Sequence, residues 1–402
     1  MWFLFVALLV QSANVVEDGN KALDAKQYDR AIELFTQAAA ADPKDYAAQF
    51  QLALTYSLLG RDADAIPHYK ATLDLKPGLY EAELNLGLSL LRTNDPAAAI
   101  PHFRAAVEQK PKELRPALNL AEALYNTNQY AEAAAAFQNA VAIDPRSAPA
   151  ESGLAMSLAR QNRADDAAPH YQQAFVLDRS YRAGFVELAQ LYEANGRTSE
   201  AITFYRMFPD NPVALERLGV LLTASGQFAE AIQALQDVVE KMPTDSRRLA
   251  LAQAYVKNKQ ADKALAILSP AVGAAPADFD LRMFYGRLLR DQRKFPDAVA
   301  QFVAATRIKP DAVEAWSELA SVLVVAEQYP QALAAFERIR ALGAESSGHF
   351  FFRALAHDRL QQRPEAIEYY NKFLATSQGK FPDQEFQARQ RVRILQNELK
   401  KR

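Results

Sequence analysis

Three histidines, His68, His102 and His170, each stand between a proline and an aromatic residue, in "AIPHY", "AIPHF" and "AAPHY". Imidazole is the commonest metal ligand and general base among side chains, so a recurring histidine raises the question of a zinc site or a proton relay. The spacing answers against both. Ala65 to Ala99 is 99 − 65 = 34 residues, and Ala99 to Ala167 is 167 − 99 = 68, twice as far. A fixed period of about 20 to 50 residues marks an array in which each unit buries its apolar face by stacking on its neighbours. Equivalent positions on stacked helix pairs lie roughly 10 Å apart, whereas zinc holds nitrogen at about 2.0–2.1 Å. The histidines are therefore read as surface or partly packed groups with no catalytic partner.

Other chemistry is equally thin. The sequence holds no "HExxH", "GxSxG" or "GxxxxGK[ST]" stretch. Without cysteine there is no disulfide, thiolate zinc site or cysteine nucleophile. The carboxylates recur with the period, as solvated faces do. Half of the 402 residues are hydrophobic and 23% are charged, enough for a continuous core. Lys plus Arg number 46 against 48 for Asp plus Glu, a net charge of −2 that gives no electrostatic reason to expect nucleic acid or an anionic membrane. The expectation is a non-enzymatic chain with no cofactor, no metal, no nucleic-acid partner and no integral membrane span.

The elements that carry the period can be read in full. One slot always holds a small residue: Gly19, Ala53, Gly87, Ala121, Ala155, Ala189, Gly219, Ala252, Gly286, Ala320 and Ala354. Twelve residues on, a second slot is alanine in every unit, from Ala31 and Ala65 to Ala332 and Ala366. Four residues further comes a large group, aromatic in nine units (Phe35, Tyr69, Phe103, Phe137, Tyr171, Tyr205, Phe302, Phe336, Tyr370) and Leu235 or Leu268 in the others. The i, i+4 relation puts notch and knob on one helical face. Proline closes most units, as in "DLKP", "AIDP" and "RIKP", because it cannot continue a helix and disfavours helix in the residue before it. Each unit is thus two antiparallel helices.

These residues resemble the tetratricopeptide repeat family. "AELNLGLSLLRTNDPAAAIPHFRAAVEQKP", residues 82 to 111, matches the family motif nearly throughout, with Leu86, Gly87, Ala99, Phe103, Ala106 and Pro111. About eleven units cover residues 12 to 375. The resemblance implies an all-α solenoid, a right-handed superhelix of antiparallel helix pairs. Arg179 and Ala344 replace the closing proline of the fifth and tenth units, and the sixth is shortened through "FYRMFPDNP". This places a soft boundary near residue 211, between an N-terminal sub-array of residues 14–211 and a C-terminal one of 212–375. Residues 376–402 are read as a capping helix, with Phe386, Val392, Ile394, Leu395 and Leu399 covering the last repeat. At the other end, the apolar run from Trp2 to Val10 ahead of Gln11, Ser12 and Ala13 resembles a secretory signal at 1–13, too short to span a bilayer. No Lys or Arg precedes it, so an apolar extension of the first helix stays open. The first reading implies a periplasmic or secreted protein, the second a cytoplasmic one.

By family resemblance, the first helix of each unit lines a groove that holds segments of partner proteins. The facing residues of the second to fifth units are then Phe50 and Leu54; Leu84, Leu88 and Leu91; Leu118 and Tyr125; and Met156. Leu84, Leu88 and Leu91 form one stripe and Leu86 and Leu90 another, more apolar surface than one packing contact consumes. Further along the face turns polar, with Gln190, Glu193, Glu216, Thr223, Gln253 and Lys257, and Arg287 and Arg290 suggest a second, polar groove. Asn85 and Asn119, flanked by Gln51 and Gly153, read as ordinary family usage. The function expected is a scaffold binding one or more proteins; the alternative is an accessory subunit presenting substrate to a separately encoded glycosyltransferase or peptidase.

Overall fold

The computed structural model describes residues 15–400. The apolar N-terminal run lies outside the described residues. Every regular element among them is helical. Eleven helix pairs follow one another, from 15–24 with Tyr28–Ala41 to Ser347–Arg359 with Arg363–Ser377, and a last helix spans Pro382–Lys400. The chain divides into two compact units, one ending at Met207 and one beginning at Phe208.

The ruler residues are where the packing is tightest. Each of the eleven second-helix alanines is 0% exposed, and the knob four residues on is never more than 7% exposed. Where the first-helix small residue is glycine, at Gly19, Gly87, Gly219 and Gly286, it lies under that knob. At Gly87, a Cβ would lie 2.6 Å from the Phe103 ring. Burial of Tyr69 pushes its hydroxyl pKa up to about 12, as it does for Tyr205.

Two further devices recur. The turn joining the two helices of a pair reverses on a residue in the left-handed region at Lys26, Gly60, Asn94, Asn128, Asn162, Gly196, Gly226, Lys259, Arg293, Glu327 and Gln361. In the tenth repeat, Glu327 N–H donates to Val324 O at 3.1 Å and Gln328 N–H to Leu323 O at 2.8 Å, the paired bonds that satisfy a helix C-terminus. A side chain with a Cβ is strained there, and Glu327→Gly is expected to stabilise by about 0.5 kcal/mol, the relief of strain exceeding the added freedom of the unfolded chain. A raised urea midpoint checks this. Secondly, the lysine before the closing proline lies over the aromatic that opens the same repeat: Lys76 is 4.3 Å from the Tyr46 ring centre, Lys110 3.6 Å from Tyr80 and Lys309 4.2 Å from Phe279.

The departures have local causes. After the fifth pair a 3-10 turn, Arg179–Ala183, stands in for proline, with Asp178 accepting from Ser180 N–H at 2.8 Å. The tenth pair ends on Gly343 at φ 69°. The second helix of the sixth pair has only eight residues, Thr198–Tyr205.

The last helix corrects one expectation. Leu395 and Val392 do pack on the final repeat, with Ala388, but Phe386, Ile394 and Leu399 are 63%, 43% and 41% exposed. Polar bonds fasten the helix beside that packing. Buried Glu385 accepts from Ser377 Oγ at 2.6 Å and Gly379 N–H at 2.7 Å, Arg391 grips Asp358 through Nε and Nη2 at 2.8 and 2.7 Å, and Arg363 Nε donates to Glu398 at 2.7 Å. Ala388 stands 388 − 354 = 34 residues after Ala354 and is also 0% exposed. The cap thus takes the place of a twelfth first helix.

Candidate partner-binding surface

The first helices of the second to fifth repeats, Tyr46–Leu58, Tyr80–Arg92, Leu114–Asn126 and Ala148–Arg160, pack in succession and form one face. On the third repeat the expected stripes separate by burial. Leu86 and Leu90 are buried, as is Leu84, while Leu88 and Leu91 stay half-buried. Leu54 is half-buried on the second repeat, and the Phe50 ring leans on Tyr69 at 5.9 Å. Leu118 packs beside Ala117, Ala140 and Ala150. Tyr125 meets Tyr130 edge-on at 5.4 Å, its hydroxyl accepting from Arg160 Nε at 3.2 Å, and Met156 is half-buried. The face therefore offers the flanks of its apolar side chains.

Between them lie amides whose part sequence reasoning missed. Gln51, Asn85 and Asn119 occupy one slot at 34-residue spacing (85 − 51 and 119 − 85). Gln51 Oε1 and Asn119 Nδ2 are buried without a hydrogen-bond partner among the described residues. A buried amide atom left unpaired costs about 1–3 kcal/mol.

The histidines are fastened inside their own repeats. His68 Nδ1 donates to Gln49 Oε1 at 2.8 Å, and His102 and His170 donate likewise to Glu83 and Glu151, each at 2.6 Å. In other repeats this register, 19 residues apart, holds Arg282 with Gln301 at 2.8 Å, or stacked rings: Phe185 on Phe204 at 5.6 Å and Phe350 on Tyr369 at 6.3 Å. One position thus ties first helix to second by whatever chemistry its pair allows. Among the described residues no group of His, Asp and Glu could hold a metal ion.

On the second unit the polar residues are mostly spoken for. Arg287 Nε donates to Glu318 at 2.7 Å, and Arg290 pairs with the same carboxylate and with Asp291. Glu216 accepts from Arg247 Nε at 2.7 Å. Thr223, Gln253 and Lys257 line a cleft of about 410 Å³ with Val220. Arg287 and Glu318 border another of about 450 Å³, closed by His349 and Phe352.

His349 is held neutral there. Its Nδ1 accepts from Ser346 N–H at 3.1 Å, so Nε2 carries the proton and donates to Ser317 Oγ at 2.9 Å. Burial pushes its pKa below the ordinary histidine value. The unfolded chain then takes up a proton near pH 6.5 that the folded chain resists, so stability is full above that pH and falls as pH drops through it. His349→Asn is expected to flatten the fall in urea midpoint between about pH 7.5 and 5.5; an unchanged slope would remove His349 from the account.

Paired helices locked by a small notch under a large knob, recurring from end to end, define an α-solenoid built to present one face to other molecules. The tetratricopeptide repeat family model matches residues 17–80, 84–148, 153–212, 286–347 and 317–383, and a second model of the same description matches 222–288. The chain belongs to the tetratricopeptide repeat family. Human protein O-mannosyl-transferase TMTC1 is 25% identical over 230 residues, 46% of this chain and 26% of that protein. The chain thus spans about a quarter of that relative's length. Among solved structures, YrrB, a TPR protein with an unusual peptide-binding site, aligns at 18% identity and TM-score 0.41 over 42% of this chain and 88% of its own. MamA from Desulfovibrio magneticus RS-1 aligns at 22% and 0.39 over 42% and 96%. No helix among the described residues is long and apolar enough to cross a membrane.

Proposed function

We propose that the chain is a non-enzymatic scaffold whose first-helix face, on the second to fifth repeats, holds an extended or helical segment of a partner protein. The observation that carries this is the run of half-buried apolar side chains, Leu54, Leu88, Leu91 and Leu118, on successive first helices of one unit. A segment with apolar side chains at helical or extended spacing covers that run. The test is in-cell photo-crosslinking from Leu88, with exposed Lys70 on the second helix of its repeat as control. A discrete protein adduct at Leu88 and not at Lys70 is expected, and Leu88→Glu is expected to weaken capture by at least about tenfold by placing a charge against apolar surface. Equal adducts at both positions would refute the groove. The partner's compartment also tests the reading of residues 1–13 as an export signal.

The match to a mannosyl-transferase favours a second reading, in which the array presents substrate to a separately encoded glycosyltransferase. A glycosyltransferase among the Leu88 adducts would support it.

A further inference from the structure

We propose a second binding site, on the other unit, in the cleft between the last repeat and the capping helix, for an apolar peptide segment that carries one carboxylate. The cleft measures about 680 Å³, within the range of sites that hold a drug-sized ligand or a short peptide. Its apolar floor is Phe351 and Leu355, and across from them stands Phe386 of the capping helix. That ring is 63% exposed, on a helix that is fastened by the bonds of Glu385, Arg391 and Glu398 as well as by the packing of Ala388, Val392 and Leu395. An exposed aromatic ring over a half-buried apolar floor offers a surface that a segment of apolar side chains can cover.

Charge selects among such segments. The one acid in the lining, Asp358, accepts two bonds from Arg391 and a weak third from the Tyr370 hydroxyl at 3.4 Å, so its charge is matched. Arg359 lines the same cleft, is exposed, and makes no ion pair or hydrogen bond among the described residues. The lining therefore carries one uncompensated positive charge. A nucleic-acid strand, with a charge on every phosphate, asks for a run of cations that is not here. An uncharged segment would leave the guanidinium unused. One carboxylate beside apolar side chains satisfies both walls, and Gln387 and Gln390 offer amides to the peptide backbone. This site shares no residue with the face of the first unit, so either assignment can fail alone.

The test is calorimetric titration of the intact chain with the doubly capped peptide GSLFELSG and its GSLFQLSG counterpart. A peptide ending in Leu-Phe, as free acid and as amide, distinguishes a terminal carboxylate from a side-chain one. The acid is expected to bind about fivefold to tenfold more tightly than its neutral counterpart, with the difference shrinking as salt is added. Arg359→Gln should abolish the difference, Phe386→Ala should weaken both members of a pair, and Lys112→Gln, the same charge change on the first unit, should do neither. Both cleft variants alter exposed side chains, so an unchanged melting curve is the accompanying control. Equal binding of acid and neutral peptides, discrimination that survives Arg359→Gln, or no binding at about 1 mM would each overturn the proposal. Loss of binding in Leu88→Glu would move the peptide to the first unit and overturn the site assignment.

Discussion

Gly87→Val is expected to destabilise the third repeat by roughly 3 kcal/mol, while Gly87→Ala changes stability by less than about 1 kcal/mol. A Cβ at Gly87 would lie 2.6 Å from Phe103 Cε1 and 2.8 Å from Cδ1 and Cζ. The ring is 0% exposed. Alanine adds one carbon, and the same slot holds a fully buried alanine at Ala53 and Ala121, sixteen residues before Tyr69 and Phe137, so the repeat accommodates a methyl group there. Its strain is offset by about 1 kcal/mol of helix propensity gained over glycine. Valine adds two further carbons, branched at Cβ, against the same ring. Because each repeat contacts mainly its neighbours, the loss should be local. Hydrogen exchange should accelerate in Tyr80–Arg92 and Pro96–Gln109 and stay unchanged beyond Phe208. Uniform acceleration across the chain would mean that the repeats unfold as one body, and an unperturbed third repeat would mean that the notch is looser than its distances show.

That notch was legible in the sequence because it is a size constraint, and size constraints repeat with residue type. Small residue, alanine and ring recur at fixed intervals, and every one of those alanines is buried. Properties met by several residue types were harder to see. The left-handed turn is as regular as the alanines, yet glycine fills it only at 60, 196 and 226; asparagine, lysine, arginine, glutamate and glutamine serve elsewhere, at a strain the surrounding bonds sustain. The histidine position is likewise a contact filled by a polar pair in some repeats and by stacked rings in others, so its period shows only where histidine is used. The lysines of "DLKP" and "RIKP" read as punctuation, whereas their ammonium groups lie over the aromatic that opens the repeat. The candidate groove was legible in part. Helical periodicity picked out the leucines, but Leu84 is buried and Leu88 half-buried although they lie four residues apart, because contacts with neighbouring helices set the boundary. The amides of Gln51 and Asn119 differ from ordinary polar usage only in lacking partners, which no spacing reveals.

Arg391→Leu is expected to undock the capping helix at a cost of about 2 kcal/mol. Breaking a fully buried ion pair costs about 3–5 kcal/mol, because the surviving charge is stranded. Asp358 is 7% exposed and would keep only the Tyr370 hydroxyl at 3.4 Å. The value is set lower because the Arg391 side chain is itself 41% exposed, so water screens part of the attraction and can reach part of the anion. Asp358→Leu combined with Arg391→Leu removes both charges and should recover most of the loss, since no ion is then left in an apolar site. Faster exchange in Pro382–Lys400, reversed in the double variant, is the result that supports a charge-fixed cap. If the double variant exchanges as fast as the single one, the helix is held by the packing of Arg391 carbons, and its rotation is owed to Leu395 and Ala388. The distinction matters because an array ends safely only if its last apolar face is covered. Here Ala388, Val392 and Leu395 cover the final repeat, so Phe386 can remain outside the core without leaving that repeat open.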